Sequence, residues 1–270
     1  MSHHTKIVAL IAVALAALPA VAADHELLLR KTDKGTVAGY KDTPALASTG
    51  GKYCVHDPDR PVPRHVEVAE APSMPAPSDA VALFDGKDLA AWQPSQWKIE
   101  DGSAVAGHGS LTTKESFGDC QLHVEWQVPT VESANNMNRG NSGVFLMGLY
   151  ELQIFDSHPM HAWQIYADGQ AAAIYGQTPP SVNACRRPGQ WQSFDIVFRA
   201  PVFDGEKLLE PARITVLHNG VLVHDHQEIA GPTMHCLVSP YRPHPAKQPL
   251  VLQGHGSPVR FRNVWIRSLQ

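Results

Sequence analysis

Two short runs hold most of the side chains able to do chemistry. The first is Tyr150-Glu151-Leu152-Gln153-Ile154-Phe155-Asp156. An extended chain alternates its side chains, so Glu151, Gln153 and Phe155 share one face while Leu152 and Ile154 share the other. A carboxylate and an amide among strong strand formers make a polar stripe, either solvated or the floor of a groove. In a groove the carboxylate can move a proton and the amide can fix a hydroxyl. The second run is Leu252-Gln253-Gly254-His255-Gly256. Gln253 and His255 project together if the strand persists, and the flanking glycines let backbone come close to a ligand. Arg260 and Arg262 follow, two apart and on one face. Strand arginines pair with carboxylates, snorkel to solvent or contact a ligand. Gly140-Asn141-Ser142-Gly143 and Tyr175-Gly176 add an amide and a ring. Tyr175 presents its ring to a sugar or closes the edge of the core.

The familiar catalytic signatures are missing. The chain has no H-E-x-x-H, no Walker loop, no G-x-S-x-G and no dinucleotide fingerprint. Its 15 His fall into no zinc-ligand spacing, so no metal ligand is assigned from spacing. The four Cys (Cys54, Cys120, Cys185 and Cys236) contain no C-x-x-C, and one or two disulfides of undetermined pairing are expected.

The elements that must position these groups are strands. Gln121–Val128 alternates polar and apolar over eight positions, the period of a half-buried strand. Ser193–Phe198, Leu250–Gln253 and Val259–Ile266 continue the pattern, and Asn219-Gly220 between two alternating runs demands a type I′ hairpin. No helical period exceeds about two turns. The fold class is all-β, a sandwich of roughly 190 residues. Residues 23–78 read as an irregular Pro-rich arm, ending in a linker at Val68–Ser78, although the stretch around Tyr53-Cys54-Val55-His56 can pack on the domain. Lys6, the apolar run Ile7–Leu18 and Ala20-Val21-Ala22 have the form of a secretory signal peptide over residues 1–22. A secreted or periplasmic protein, free of the membrane once the signal is removed, is the expectation. With 22 Lys+Arg, 26 Asp+Glu and a net charge of −4, there is no bulk electrostatic case for nucleic acid or anionic lipid. Hydrophobic residues at 43% exclude disorder across the whole chain.

Leu83-Phe84-Asp85-Gly86-Lys87-Asp88-Leu89-Ala90-Ala91-Trp92 resembles the opening motif of the 3-keto-disaccharide hydrolase family, long called a domain of unknown function, DUF1080. Gly140–Leu146, Tyr150–Asp156, Ala173–Gly176, Leu252–Gly256 and Pro258–Arg267 resemble its further motifs in the same order. Tyr53–Pro61 resembles the arm that precedes the domain in some members. The position of Gly254 often carries Asp in the family. The resemblance spans about residues 80–268 and implies a concanavalin A-like jelly roll over residues 79–270, two antiparallel sheets with a concave sugar-binding face. Glu151, Gln153 and His255 then become cleft residues, and the implied partner is an oligosaccharide or glycoside already oxidised to a ketone at sugar C3.

A 3-keto group makes the C2 hydrogen acidic. A base removes it, an enolate forms, the C1 oxygen leaves by β-elimination, and water adds to the enone. That route needs a base, an acid for the leaving oxygen and a stabiliser of the enolate. His255 or Glu151 is expected as base, with the other, or Asp156, as acid. Arg262, Gln253, Asn141, Gln153 and Tyr175 are expected to bind substrate. No cofactor is certain. A divalent cation polarising the ketone would take Glu151 and His255 as ligands. Three alternatives remain: a conventional glycosidase using Glu151 and Asp156, a non-catalytic carbohydrate-binding module, and a structural domain. Residues five apart on one strand point to opposite faces, which counts against the carboxylate pair.

Overall fold

The computed structural model describes residues 25–33, 35–70, 73–130 and 138–269. The signal expected at residues 1–22 lies outside them.

Two antiparallel sheets form the body. The larger runs across as Val221–Glu228, Arg213–His218, Gln192–Arg199, Cys120–Gln127, Arg260–Ser268, Ser103–Val105 and Lys98–Glu100, and Val81–Phe84 also pairs with Arg260–Ser268. The smaller is ordered Leu111–Phe117, Gln248–Leu252, Ser142–Leu146, Tyr150–Ile154. Period-two alternation sends one face of each into a common core. Trp126, Phe194, Phe198 and Phe261 of the larger sheet cluster with Val144, Leu152, Ile154, Leu250 and Leu252 of the smaller. Each such side chain contributes about 1.5–3 kcal/mol by leaving water. Asn219 (φ 52°) and Gly220 (φ 79°) turn the expected hairpin, with His218 opposite Val221. Among the described residues the helical elements are two short 3-10 turns, Ala47–Thr49 and Ala167–Gly169.

The arm is more ordered than its proline content suggests. Leu28–Thr32 and Gly35–Gly39 form a hairpin, whose second strand pairs in parallel with Trp163–Ile165. Beyond it the chain returns so that Tyr40 N–H donates to His56 O at 2.9 Å. Gly39 is required there, because a Cβ would lie 2.4 Å from His56 O. Part of the stretch read as a linker is also bound. Met74 O accepts hydrogen bonds from Asn263 Nδ2 (2.8 Å) and Trp265 Nε1 (3.1 Å) on the larger sheet.

Two expectations are corrected here. All four cysteines are free thiols. They sit in different surroundings: Cys120 is in a core strand, Cys185 lies 3.8 Å from Phe155 O, and Cys54 lies 3.3 Å from Tyr40 O. Arg262 belongs to the far face of the larger sheet. It stands opposite Glu125 in the register, donates from Nε to Glu125 Oε2 at 2.6 Å and lies 4.1 Å from the centre of the Trp191 ring. Burial works against ionisation of Glu125. Hydrogen bonds from His123, Asn263, Ser73 and Arg262 outweigh it and hold the pKa down at about 2.

Candidate active site

The outer face of the smaller sheet is the floor of a cavity of about 450 Å³. The sheet register explains its contents. Phe145 pairs with Glu151 and Gly143 with Gln153, so all four share the face opposite the core. Val251 pairs with Phe145, and Gln253, two residues on, returns to the same side with its N–H on Gly143 O at 2.9 Å. His255 and Asn141 stand at the rim, with Nδ1 and Nδ2 3.4 Å apart. The segment after Ala172 extends the sheet edge: Ala172 N–H donates to Gln153 O and Tyr175 N–H to Glu151 O. That backbone pairing brings the Tyr175 ring over the floor.

Glu151 is the group most altered by its surroundings. It is buried, and its carboxyl takes no hydrogen bond from the described residues, whereas its backbone N–H donates to Thr233 Oγ1 at 3.0 Å. Burial pushes its pKa up to about 8. Space for the carboxyl exists only because residue 143 is glycine, where a Cβ would lie 2.3 Å from Glu151 Oε1. Two amide oxygens beside it, Gln153 Oε1 and Gln253 Oε1, are buried without a hydrogen-bond partner. Orphaned acceptors of this kind are satisfied by donors that a ligand brings, such as sugar hydroxyls.

The opposite wall is aromatic. Tyr175 Oη lies 3.0 Å from Tyr166 Oη and 2.9 Å from His235 Nδ1. Burial raises the pKa of both tyrosines, so the hydroxyls stay protonated and able to donate. Burial, reinforced by His56, His25 and His255, lowers the pKa of His235 to about 4. Tyr40, from the arm, completes this wall.

The structure therefore brings together Glu151, Gln153, Asn141, Tyr175, Gln253 and His255, and leaves out Arg262 and Asp156. Asp156 is fully buried, with Oδ2 2.5 Å from His161 Nε2 and its backbone oxygen accepting from Arg139 Nε at 3.0 Å. It lies two residues past the end of its strand and follows the parity of Ile154, away from the floor. No glycosidase pair forms from Glu151 and Asp156 in this arrangement. Tyr40, Thr233 and His235 line the cavity without having been singled out, and Tyr166, nine residues before Tyr175, joins them. They come from the arm, from loops and from the two-residue strand Thr233–Met234, where no period identifies the facing side chain.

Gly254 is also explained. A Cβ there would lie 2.2 Å from Gly109 O and 2.6 Å from Gly107 O, so an aspartate does not fit this backbone. For a metal, the described residues offer two clusters of His, Cys and acidic groups: His56, His235 and Cys236, and His65, Glu67 and His158. Neither includes Glu151 or His255.

A similar arrangement of sheets occurs in crystal structures from Parabacteroides distasonis ATCC 8503, each described as a "putative glycosyl hydrolase". One is 38% identical with a TM-score of 0.68, covering 79% of this chain and 93% of its own. Another is 25% identical with a TM-score of 0.52, covering 70% of this chain and 99% of its own. Among curated protein sequences none matches. The model of the 3-keto-α-glucoside-1,2-lyase-like domain matches residues 79–267, the whole sandwich including Glu151, Gln253 and His255. The chain belongs to the 3-keto-α-glucoside-1,2-lyase-like family.

Proposed function

We propose that this protein is an exported enzyme that cleaves 3-keto glycosides by proton abstraction at C2, elimination of the C1 oxygen and hydration of the enone. The observation that carries the reading is the buried Glu151 carboxyl on the cavity floor, without a hydrogen-bond partner among the described residues and with its pKa raised to about 8. A carboxylate of that basicity suits a proton made acidic by a neighbouring ketone far better than an ordinary surface carboxylate does.

In this reading ionised Glu151 takes the C2 proton and the electron pair moves onto the C3 oxygen as an enolate. The enolate collapses, the C1–O bond breaks, and His255, entering as imidazolium, protonates the departing oxygen. Water then adds at C1 of the enone. His255 takes the proton that water loses, and Glu151, whose carboxyl proton has exchanged with solvent, delivers a proton to C2, so both groups end as they began. Gln153 and Gln253 accept from sugar hydroxyls, Asn141 orients His255, and the Tyr175 hydroxyl donates to a substrate oxygen. The family match and the 38% identical hydrolase-like structure support a carbohydrate substrate.

The test is incubation with a 3-keto-disaccharide and its unoxidised parent in deuterated water, followed by NMR and mass spectrometry. Cleavage of the keto sugar alone, with deuterium entering C2, is expected. Cleavage of the parent sugar would establish ordinary glycosidase chemistry instead, and binding of either sugar without turnover would establish a carbohydrate-binding module. Export is checked separately by N-terminal sequencing of the mature protein, which should begin after Ala22.

A further inference from the structure

Behind the aromatic wall lies a cluster that the reaction above leaves unused. His56, from the arm, and His235 and Cys236, from the loop after Thr233, place one ligand atom each within 4.8 Å of one another. Cys236 Sγ is 3.3 Å from His235 Nε2. His56 is fully buried, and neither of its ring nitrogens has a hydrogen-bond partner among the described residues. A buried imidazole nitrogen left unsatisfied is costly unless something else occupies it.

The far side of each ring faces a polar group. His56 Nδ1 stands 3.5 Å from Asp168 Oδ2, and Asp168 is itself fixed by the His56 backbone N–H at 3.0 Å. His235 Nδ1 stands 2.9 Å from the Tyr175 hydroxyl. Metal-bound histidines characteristically present one nitrogen to the ion and the other to a carboxylate or similar group, which sets the tautomer. His235 has this arrangement, and His56 has a carboxylate in place for it at 3.5 Å, within a small turn of its ring.

We propose that His56 Nε2, His235 Nε2 and Cys236 Sγ form a three-ligand site for one thiophilic divalent cation of the Zn²⁺ class, beside the cavity and shared between arm and domain. Two imidazoles and a thiolate are a borderline-soft set that favours zinc over magnesium or calcium. Binding releases the Cys236 thiol proton to solvent, while the two imidazoles coordinate in their neutral form. The fourth position is left for water or a sugar oxygen. The rings of His56 and His235 are inclined by only 29°, with centroids 5.1 Å apart, so two edges do not yet converge on one point. His235, the exposed member, must turn to close the site.

The test reads metal directly, without substrate, and so stands or falls independently of the keto-sugar chemistry. The full chain, freed of metal by a chelator, is titrated with Co²⁺ and then with Zn²⁺. One equivalent of Co²⁺ should produce a thiolate-to-metal charge-transfer band in the near ultraviolet, and Zn²⁺ should displace it. Cys236→Ser should abolish the band, and His235→Gln should weaken binding by about a hundredfold or more, since even outer-shell partners carry about ten- to a hundredfold. Cys54→Ser should leave the band intact. Thermal melts of both site variants check that they remain folded, and the exposed His235 position serves if Cys236→Ser does not. Absence of saturable binding by the wild type, or a band that survives in folded Cys236→Ser, overturns the proposal.

Discussion

Replacing Glu151 by Gln should make the protein more stable while removing its activity. The carboxyl is buried without a compensating charge, and its pKa rises from 4.5 to about 8. The folded chain therefore holds a proton between those values that the unfolded chain has lost. In that window the unfolded state binds fewer protons, so stability falls as pH rises. The fall continues until Glu151 ionises in the folded state near pH 8, and it totals roughly 5 kcal/mol at one pKa unit per 1.36 kcal/mol, an upper figure because relaxation and water entry reduce it. Gln keeps the shape and never ionises, so the variant escapes the penalty. At pH 8.5 it should melt higher than wild type by the order of 10 °C, and near pH 4.5 the two should nearly coincide. Differential scanning calorimetry across that range is the assay. The same titration bears on the rate: because ionised Glu151 and protonated His255 are needed together, kcat/KM should be bell-shaped in pH, with one limb set by Glu151 near pH 8, while the Gln variant stays inactive on the keto sugar. A melting difference that does not grow with pH would refute the burial argument. Entry of deuterium at C2 of the keto sugar that persists in the folded Gln variant would refute Glu151 as the base.

Gly143→Ala should lower kcat by about a hundredfold, the usual result of displacing a reacting group by an ångström, because the new Cβ would sit 2.3 Å from Glu151 Oε1; steady-state kinetics with an unchanged fold by circular dichroism checks it. Arg262→Ala should leave kcat/KM unaltered while costing about 1–3 kcal/mol in urea unfolding, because it strips a donor from the buried Glu125 carboxylate. Tyr40→Ala should raise KM by about three- to tenfold with kcat nearly constant, because an arm residue lines the cavity without reaching its floor.

The period of two made much of the fold readable. It placed Glu151 and Gln153 on one face and Leu152 and Ile154 on the other, as the sandwich has them. The same rule put Gln253 and His255 together, although the strand ends at Leu252. What it leaves open is which side of a polar stripe water occupies, because the cover over Glu151 comes from Tyr40 and His235, remote in sequence. Arg262 shows the same limit. Its partner Glu125 lies 137 residues away and meets it only through the register of the larger sheet. Asp156 was drawn in by its proximity to Glu151 along the chain, but its parity already set it on the other side. The cysteines carry no information on pairing, since that depends on distances only the fold supplies.

The parallel pairing of Gly35–Gly39 with Trp163–Ile165 bears on how the cavity comes into being. Residues 36 and 163 are neighbours in the sheet yet are made far apart in time as the chain is synthesised. The hairpin cannot find its partner strand until more than half of the sequence has emerged, and closing so long a loop is entropically slow. The floor waits longer still, because its strand Gln248–Leu252 sits between Leu111–Phe117 and Ser142–Leu146 and is among the last parts of the chain to be made. Glu151 is therefore enclosed only once segments from the beginning, the middle and the end of the chain have come together. Its raised basicity is a property of the finished fold and of no local stretch of sequence.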